Sequence, residues 1–164
     1  MTASTTGLTS PQNNVLAMWR FLTAVPGGRS FFSRMMDRQV PYARSIDQKV
    51  EALRPGFSRL AMGDQRSVRN HRRAVHAAAV MNLAENAGGL ALSSLLADGT
   101  EPVLRSASIE HRKAATGPLT AECTVEKLAA ANDDQVTEVL VRDQRGHIVA
   151  EVRAVWTVQP SVTA

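Results

Sequence analysis

The stretch VHAAAVMNLAENAGGLALSSLLA, from Val75 to Ala97, constrains this chain most. It is long, rich in Ala, Leu, Val and Met, and free of proline, so it is expected to form one helix. About 22 helical residues at 1.5 Å rise each span about 33 Å. The helix is apolar on most sides, which suits a rod wrapped by other structure rather than one lying on a surface. Glu85 interrupts it. A carboxylate inside apolar surroundings is unfavourable unless it is paired, hydrogen-bonded or neutralised.

At about 100° per residue, Asn82, Glu85, Asn86, Gly89 and Ser93 share one sector of the helix, about 100° wide. Ala79, Met81, Leu83, Ala87 and Leu90 occupy the opposite side. A confined polar stripe meets water, a ligand or another polar surface. Two readings follow, and they are compatible. The stripe is a subunit contact whose asparagines bond across a two-fold axis, or it is the wall of a site in which Glu85 works.

The flanking sequence is strand-like. YARSIDQKVEALRPG alternates imperfectly and ends at Pro55-Gly56, and FSRLAMGDQ follows as its antiparallel partner. Beyond the long helix, EPVLRSASIEHRKAAT, GPLTAECTVEKLA, QVTEVLVRD and GHIVAEVRAVWTVQ read as four further strands. Gly117-Pro118, Asn132-Asp133 and DQRG supply the turns. Val136–Arg142 and Ile148–Val158 show the clearest period-two alternation. The expected class is α+β: a long central helix wrapped by a curved antiparallel sheet of about five to six strands.

Ahead of these elements, residues 1–12 are expected to be disordered and 13–40 to form a helical preface, with the main domain over 41–160. NVLAMWRFLTAVPGG spaces Val15, Met18, Trp19 and Leu22 helically; RSFFSRMMDRQV repeats the pattern with Phe31, Phe32, Met35 and Met36. Both pieces are expected to cover a sheet face or cavity mouth, with Trp19, Phe21, Phe31 and Phe32 closing over the sheet. An interfacial membrane helix is the alternative, permitted by Arg20, Arg29, Arg34 and Arg38.

The segment NHRRAVHAAAVMNLAENAGGLAL resembles the signature of hot-dog acyl-CoA thioesterases of the PaaI-like type. That pattern has an Asn, then His-Gly-Gly, then Leu-Ala-Asp or Leu-Ala-Glu with the acid nine residues after the His. His76 holds the His position, and Leu83-Ala84-Glu85 places the acid nine residues on. HRKAATGPLTAECTV is similar to the family's strand with a basic residue, a Gly turn and a Leu-Thr-Ala-Glu run. Two departures stand out: Ala77 and Ala78 replace the glycines, and the acid is Glu. The resemblance covers Tyr42 to Val158 in element order. It implies the hot-dog fold, acyl-CoA substrates, and active sites at a dimer interface fed by both subunits.

Helix geometry agrees with a shared site. His76 and Glu85 are two and a half turns apart, about 13 Å along the axis and on opposite sides. A backbone N–H at the helix start and the Glu85 carboxylate address one carbonyl only if a second copy supplies one of them. The expected mechanism has the thioester carbonyl accepting a hydrogen bond from the N–H of Ala77 or Ala78, at the positive end of the helix dipole. Glu85 acts as general base on water or as nucleophile. Asn82, Asn86 and Ser93 orient acid or water, and Gly89 leaves room for substrate. Asn70 and His76 frame the loop entering the helix, where either is a candidate catalytic group that positions the water or carbonyl; the alternative for His76 is that it simply caps the helix. His71 is read as loop-ordering, and His111 and His147 as surface groups.

Arg66, Arg69, Arg72 and Arg73 gather before the helix, and Arg112-Lys113 lie on a later strand. Arginine forks suit the phosphates of coenzyme A, so Arg72, Arg73, Arg112 and Lys113 are candidate substrate contacts. The net charge of +4 is too mild to name a partner. Few aromatics and no zinc or helix-turn-helix pattern argue against nucleic acid. No apolar run reaches membrane-span length, and the N-terminus does not read as a signal peptide. Cys123 is the only cysteine, which favours a cytoplasmic setting. No metal and no cofactor are expected, coenzyme A entering only as part of the substrate.

The leading expectation is a homodimeric or dimer-of-dimers acyl-CoA thioesterase acting on a fatty or aryl acyl group. A non-catalytic acyl-binding or scaffolding protein of the same fold is the alternative. A dehydratase or hydratase is the third possibility, but it wants a converging His–acid pair that the sequence does not display.

Overall fold

The computed structural model describes residues 15–130 and 133–161. The expectation of disorder over residues 1–12 lies outside the described residues. The order is α1 (Val15–Thr23), α2 (Gly28–Gln39), a 3-10 turn (Ala43–Ile46), β1 (Gln48–Arg54) and β2 (Phe57–Met62). After a second 3-10 turn (Arg66–Val68) come α3 (Ala77–Ser93), β3 (Thr100–His111), β4 (Leu119–Thr124), β5 (Gln135–Asp143) and β6 (Ile148–Pro160). The six strands make one antiparallel sheet in the order β1-β2-β4-β5-β6-β3. With α3 packed on its inner face this is the hot-dog arrangement.

The helix lies close to the sheet because its inward positions are small. Ala84, Ala87 and Ala91 are fully buried, and a Cβ on Gly88 would come within 2.8 Å of Thr137 Oγ1. Val80, Leu83 and Leu92 fill the remaining space against Leu60, Ala121, Val139, Val141 and Val152. Each fully buried Val or Leu contributes about 1.5–3 kcal/mol of transfer free energy. Cys123 belongs to this core, and burial pushes its thiol up to about 12, so it is no nucleophile at neutral pH.

The helix is shorter than the apolar run that encodes it. It covers 17 residues, about 25 Å, because Ser94 ends it. The Ser94 hydroxyl donates to the Ala91 carbonyl (2.6 Å) and accepts from Gly56 N–H (2.8 Å), tying the helix end to the β1–β2 turn. Leu95 and Leu96 then turn away, still packed on the core.

The segment Tyr42–Ile46 is also not strand. Ser45 Oγ donates to the Tyr42 carbonyl at 2.7 Å, and Asp47 takes a left-handed φ of 47° before β1 begins. The imperfect alternation of β1 is a bulge between Val50 and Ala52, which shifts the inward register by one residue.

Helices α1 and α2 form a hairpin that packs against β1. Trp19 and Phe32 meet edge-to-face, ring centroids 5.0 Å apart, and both are buried. Phe21 and Phe31, expected to close over the sheet with them, point away and are 78% and 58% exposed. Helical spacing puts Phe21 about 200° around α1 from Trp19, and Phe31 about 100° around α2 from Phe32.

Candidate functional site

Between α3, the α1–α2 hairpin and the sheet lies a cavity of about 260 Å³. Trp156, Leu60 and Val50 form apolar wall from the sheet, Met18 and Met36 close it from the hairpin, and the polar stripe of α3 faces into it. Glu85, Asn86, Gly89 and Ser93 all line it, as one helix sector should.

Glu85 is half-buried and, among the described residues, makes no hydrogen bond or ion pair. Burial raises its carboxyl above the ordinary glutamate value. Among the described residues no cation pairs with it, which leaves an acid on the wall of a largely apolar cavity as a candidate proton acceptor.

Both asparagines make hydrogen bonds within their own chain. Asn86 Nδ2 donates toward three acceptors: Asn82 Oδ1 (2.7 Å), the Asn82 carbonyl (2.8 Å) and Gln48 Oε1 (3.2 Å). Asn82 Nδ2 donates to the Tyr42 carbonyl at 3.3 Å. Asn82 is buried beside the cavity and does not line it. The pair buttresses the wall next to Glu85 and ties α3 to β1 and the preceding turn.

The helix start is a separate place. His76 is the N-cap residue, and its Nδ1 accepts from Ala78 N–H at 3.1 Å. That bond engages Ala78 N–H, so Ala77 N–H is the amide at this end with no acceptor among the described residues. His76 and Ala78 border a smaller hollow of about 160 Å³ with Tyr42 and Ser67. Asn70 orders the preceding loop: its Oδ1 accepts from Arg72 N–H (2.9 Å) and Ala74 N–H (3.2 Å), around Arg73 at φ 63°.

The basic residues divide into two groups. Arg112 pairs with Glu110 and Glu151, and Lys113 with Asp143, each at 2.7–2.9 Å. Arg69 forms a two-pronged bond to Asp64. The Lys113 ammonium and two backbone N–H groups hold the Asp143 carboxyl far below the usual range. Arg66, Arg72 and Arg73 are exposed and make no ion pair among the described residues. None of these cations lines the Glu85 cavity.

Several wall residues escaped the sequence reading. Gln48 is a buried polar side chain at an inward β1 position, and that mismatch was a usable signal. Trp156 follows Val152 and Ala154 in the inward register of β6. Glu101 also lines the cavity, at the start of β3, with no sequence pattern to mark it. Among the described residues, no group of three or more His, Cys, Asp or Glu is placed to hold a metal, and no helix is long and apolar enough to cross a membrane.

Solved structures share this architecture. A structural-genomics crystal structure with no stated function superposes with a TM-score of 0.78 at 25% identity, over 93% of this chain and all of the other. A thioesterase from Haemophilus influenzae superposes at 0.68 with 20% identity, over 74% of this chain and 85% of its own. A probable thioesterase from Pseudomonas aeruginosa gives 0.68 with 23% identity, over 84% and 97%. No curated protein matches the sequence. The family described as a domain of unknown function, DUF4442, matches residues 28–158. The chain is a hot-dog protein and belongs to the DUF4442 family.

Proposed function

We propose that this protein hydrolyses acyl-CoA thioesters, with Glu85 activating the water. The observation that carries the reading is the half-buried, unpaired Glu85 carboxylate on the wall of a largely apolar cavity. Thioesterases among the proteins of like fold support it. Glu85 takes a proton from water as the oxygen adds to the thioester carbonyl. Collapse breaks the C–S bond, and the proton returns to the leaving thiolate, giving carboxylic acid and thiol. The apolar wall of Trp156, Leu60 and Met18 suits a fatty or aryl acyl group.

The oxyanion donor is Ala77 N–H, at the start of α3. It lies eight residues from Glu85, about 12 Å along the axis, so the complete site combines the Glu85 of one chain with the Ala77 of another. β3 ends the sheet, with β6 as its one neighbouring strand among the described residues, which suits edge-to-edge pairing with a second copy. Arg72 and Arg73, close in sequence to Ala77, are then the cations for the coenzyme A phosphates.

One observation favours a second reading, an acyl-binding protein without turnover. Ala78 N–H is engaged by His76, so a single amide remains where an oxyanion is best served by more than one. A panel of acyl-CoA esters with a thiol-detecting reagent decides. Glu85→Gln should lower kcat by about 10²–10⁴-fold with folding retained. Full turnover by that variant rejects Glu85 as the base, and coenzyme A ester binding without turnover by the native protein selects the second reading.

A further inference from the structure

We propose that the α1–α2 hairpin is a docking element for an anionic membrane surface. The hairpin has two faces. Its inner face is committed: Trp19 and Phe32 are buried, and Met18 and Met36 line the Glu85 cavity. Its outer face holds Phe21, Val25 and Phe31, exposed by 78%, 58% and 58%. Phe21 is near the end of α1, Val25 in the turn and Phe31 in the first turn of α2. A Cβ on Gly28 would lie 1.7 Å from the Leu22 carbonyl oxygen, so the end of α1 and the start of α2 meet there in backbone contact across a short turn. Each apolar residue is within about one helical turn, along the chain, of that contact.

The surrounding charge is of one sign. Arg20, Arg29, Arg34 and Arg38 are exposed and pair with no acid among the described residues. The only acid in the two helices is Asp37, whose carboxyl is raised first by burial and next by Asp47, and lowered by Arg44. Phe31, Arg34 and Arg38 follow one another at spacings of three and four, on one side of α2. Arginines flanking exposed Phe and Val is the pattern of a segment that seats its apolar tip at the acyl boundary and its cations among acidic headgroups.

Charge complementarity selects this occupant over a second copy. A two-fold contact is self-complementary, so it would set these unpaired arginines against their own symmetry mates. The three apolar tips, with no hydrogen-bonding group among them, suit hydrocarbon better than nucleic acid. Docking is independent of any role of Glu85, because binding can be read without turnover.

The test is co-sedimentation of the full chain with vesicles of phosphatidylglycerol and phosphatidylcholine, against phosphatidylcholine alone. Strong partitioning onto the anionic vesicles, weakened by salt, is expected. Arg29→Gln/Arg34→Gln should weaken it about fivefold per arginine removed, and Phe21→Ser/Phe31→Ser by at least about tenfold. Arg153→Gln, a distant exposed cation, should change it little. Light scattering on the same samples should give one unchanged mass. Native protein that stays in the supernatant overturns the proposal, as does undiminished binding by the Phe variant. A fall in mass of the Phe variant overturns it too, because the patch is then a subunit contact.

Discussion

Trp156 donates from its indole N–H to Thr137 Oγ1 at 2.9 Å, inside the core. Thr137 in turn stands 2.8 Å from where a Cβ on Gly88 would fall, and the Trp156 ring stands 3.2 Å from a Cβ on Gly89. The two glycines of α3 therefore let the helix settle onto a hydrogen-bonded pair whose indole forms part of the cavity wall.

Gly88→Ala should destabilise the protein by about 1–3 kcal/mol. A methyl group at 2.8 Å forces Thr137 or the helix to move, and the intrinsic gain of Ala over Gly in a helix, about 1 kcal/mol, is too small to offset it. Chemical denaturation measures the change. Indole fluorescence should shift in the native variant if Trp156 loses its acceptor.

Asn86→Asp keeps the shape of the side chain and removes its donor. The new carboxylate would face Asn82 Oδ1, the Asn82 carbonyl and Gln48 Oε1, all acceptors. Destabilisation of about 2–3 kcal/mol is expected at pH 7, diminishing on acidification as the carboxyl regains a proton. Urea melts at two pH values read it.

The Glu85 carboxyl, raised by burial, ties activity and stability to pH in opposite directions. The base must be ionised, so kcat/KM should rise with pH along a limb whose midpoint lies above 4.5, the ordinary glutamate value. The folded state binds this proton more tightly than the unfolded chain. The stability linked to Glu85 is thus full below the ordinary pKa and is lost as pH climbs through the raised one. Glu85→Gln should remove that decline and be at least as stable at pH 7. Thermal melts across pH 4–8 check the sign.

Arg72→Gln/Arg73→Gln should weaken coenzyme A binding about tenfold or more, since neither cation pairs with an acid among the described residues. Arg112→Gln should matter little, because Glu110 and Glu151 already compensate its charge. Titration calorimetry with coenzyme A compares them, and equal losses in both variants would remove Arg72 and Arg73 from the site.

Pattern and composition along the chain determined much of this molecule. The helical run holding Glu85, the strand pairs and the sector shared by Glu85, Asn86, Gly89 and Ser93 are local properties, because helix and strand periods place side chains on faces without reference to the rest of the fold. Tertiary structure decided where those faces went. The Ser94–Gly56 bond, across 38 residues, stopped the helix short of its apolar run. Gln48 and Tyr42, remote in sequence, accept hydrogen bonds from Asn86 and Asn82. Glu151 and Asp143, brought in from β6 and β5, pair with Arg112 and Lys113, while Arg72 and Arg73 pair with no acid among the described residues. Partner choice among hydrogen-bonding and charged groups depends on distances between segments far apart in the chain, and only the folded sheet sets those distances.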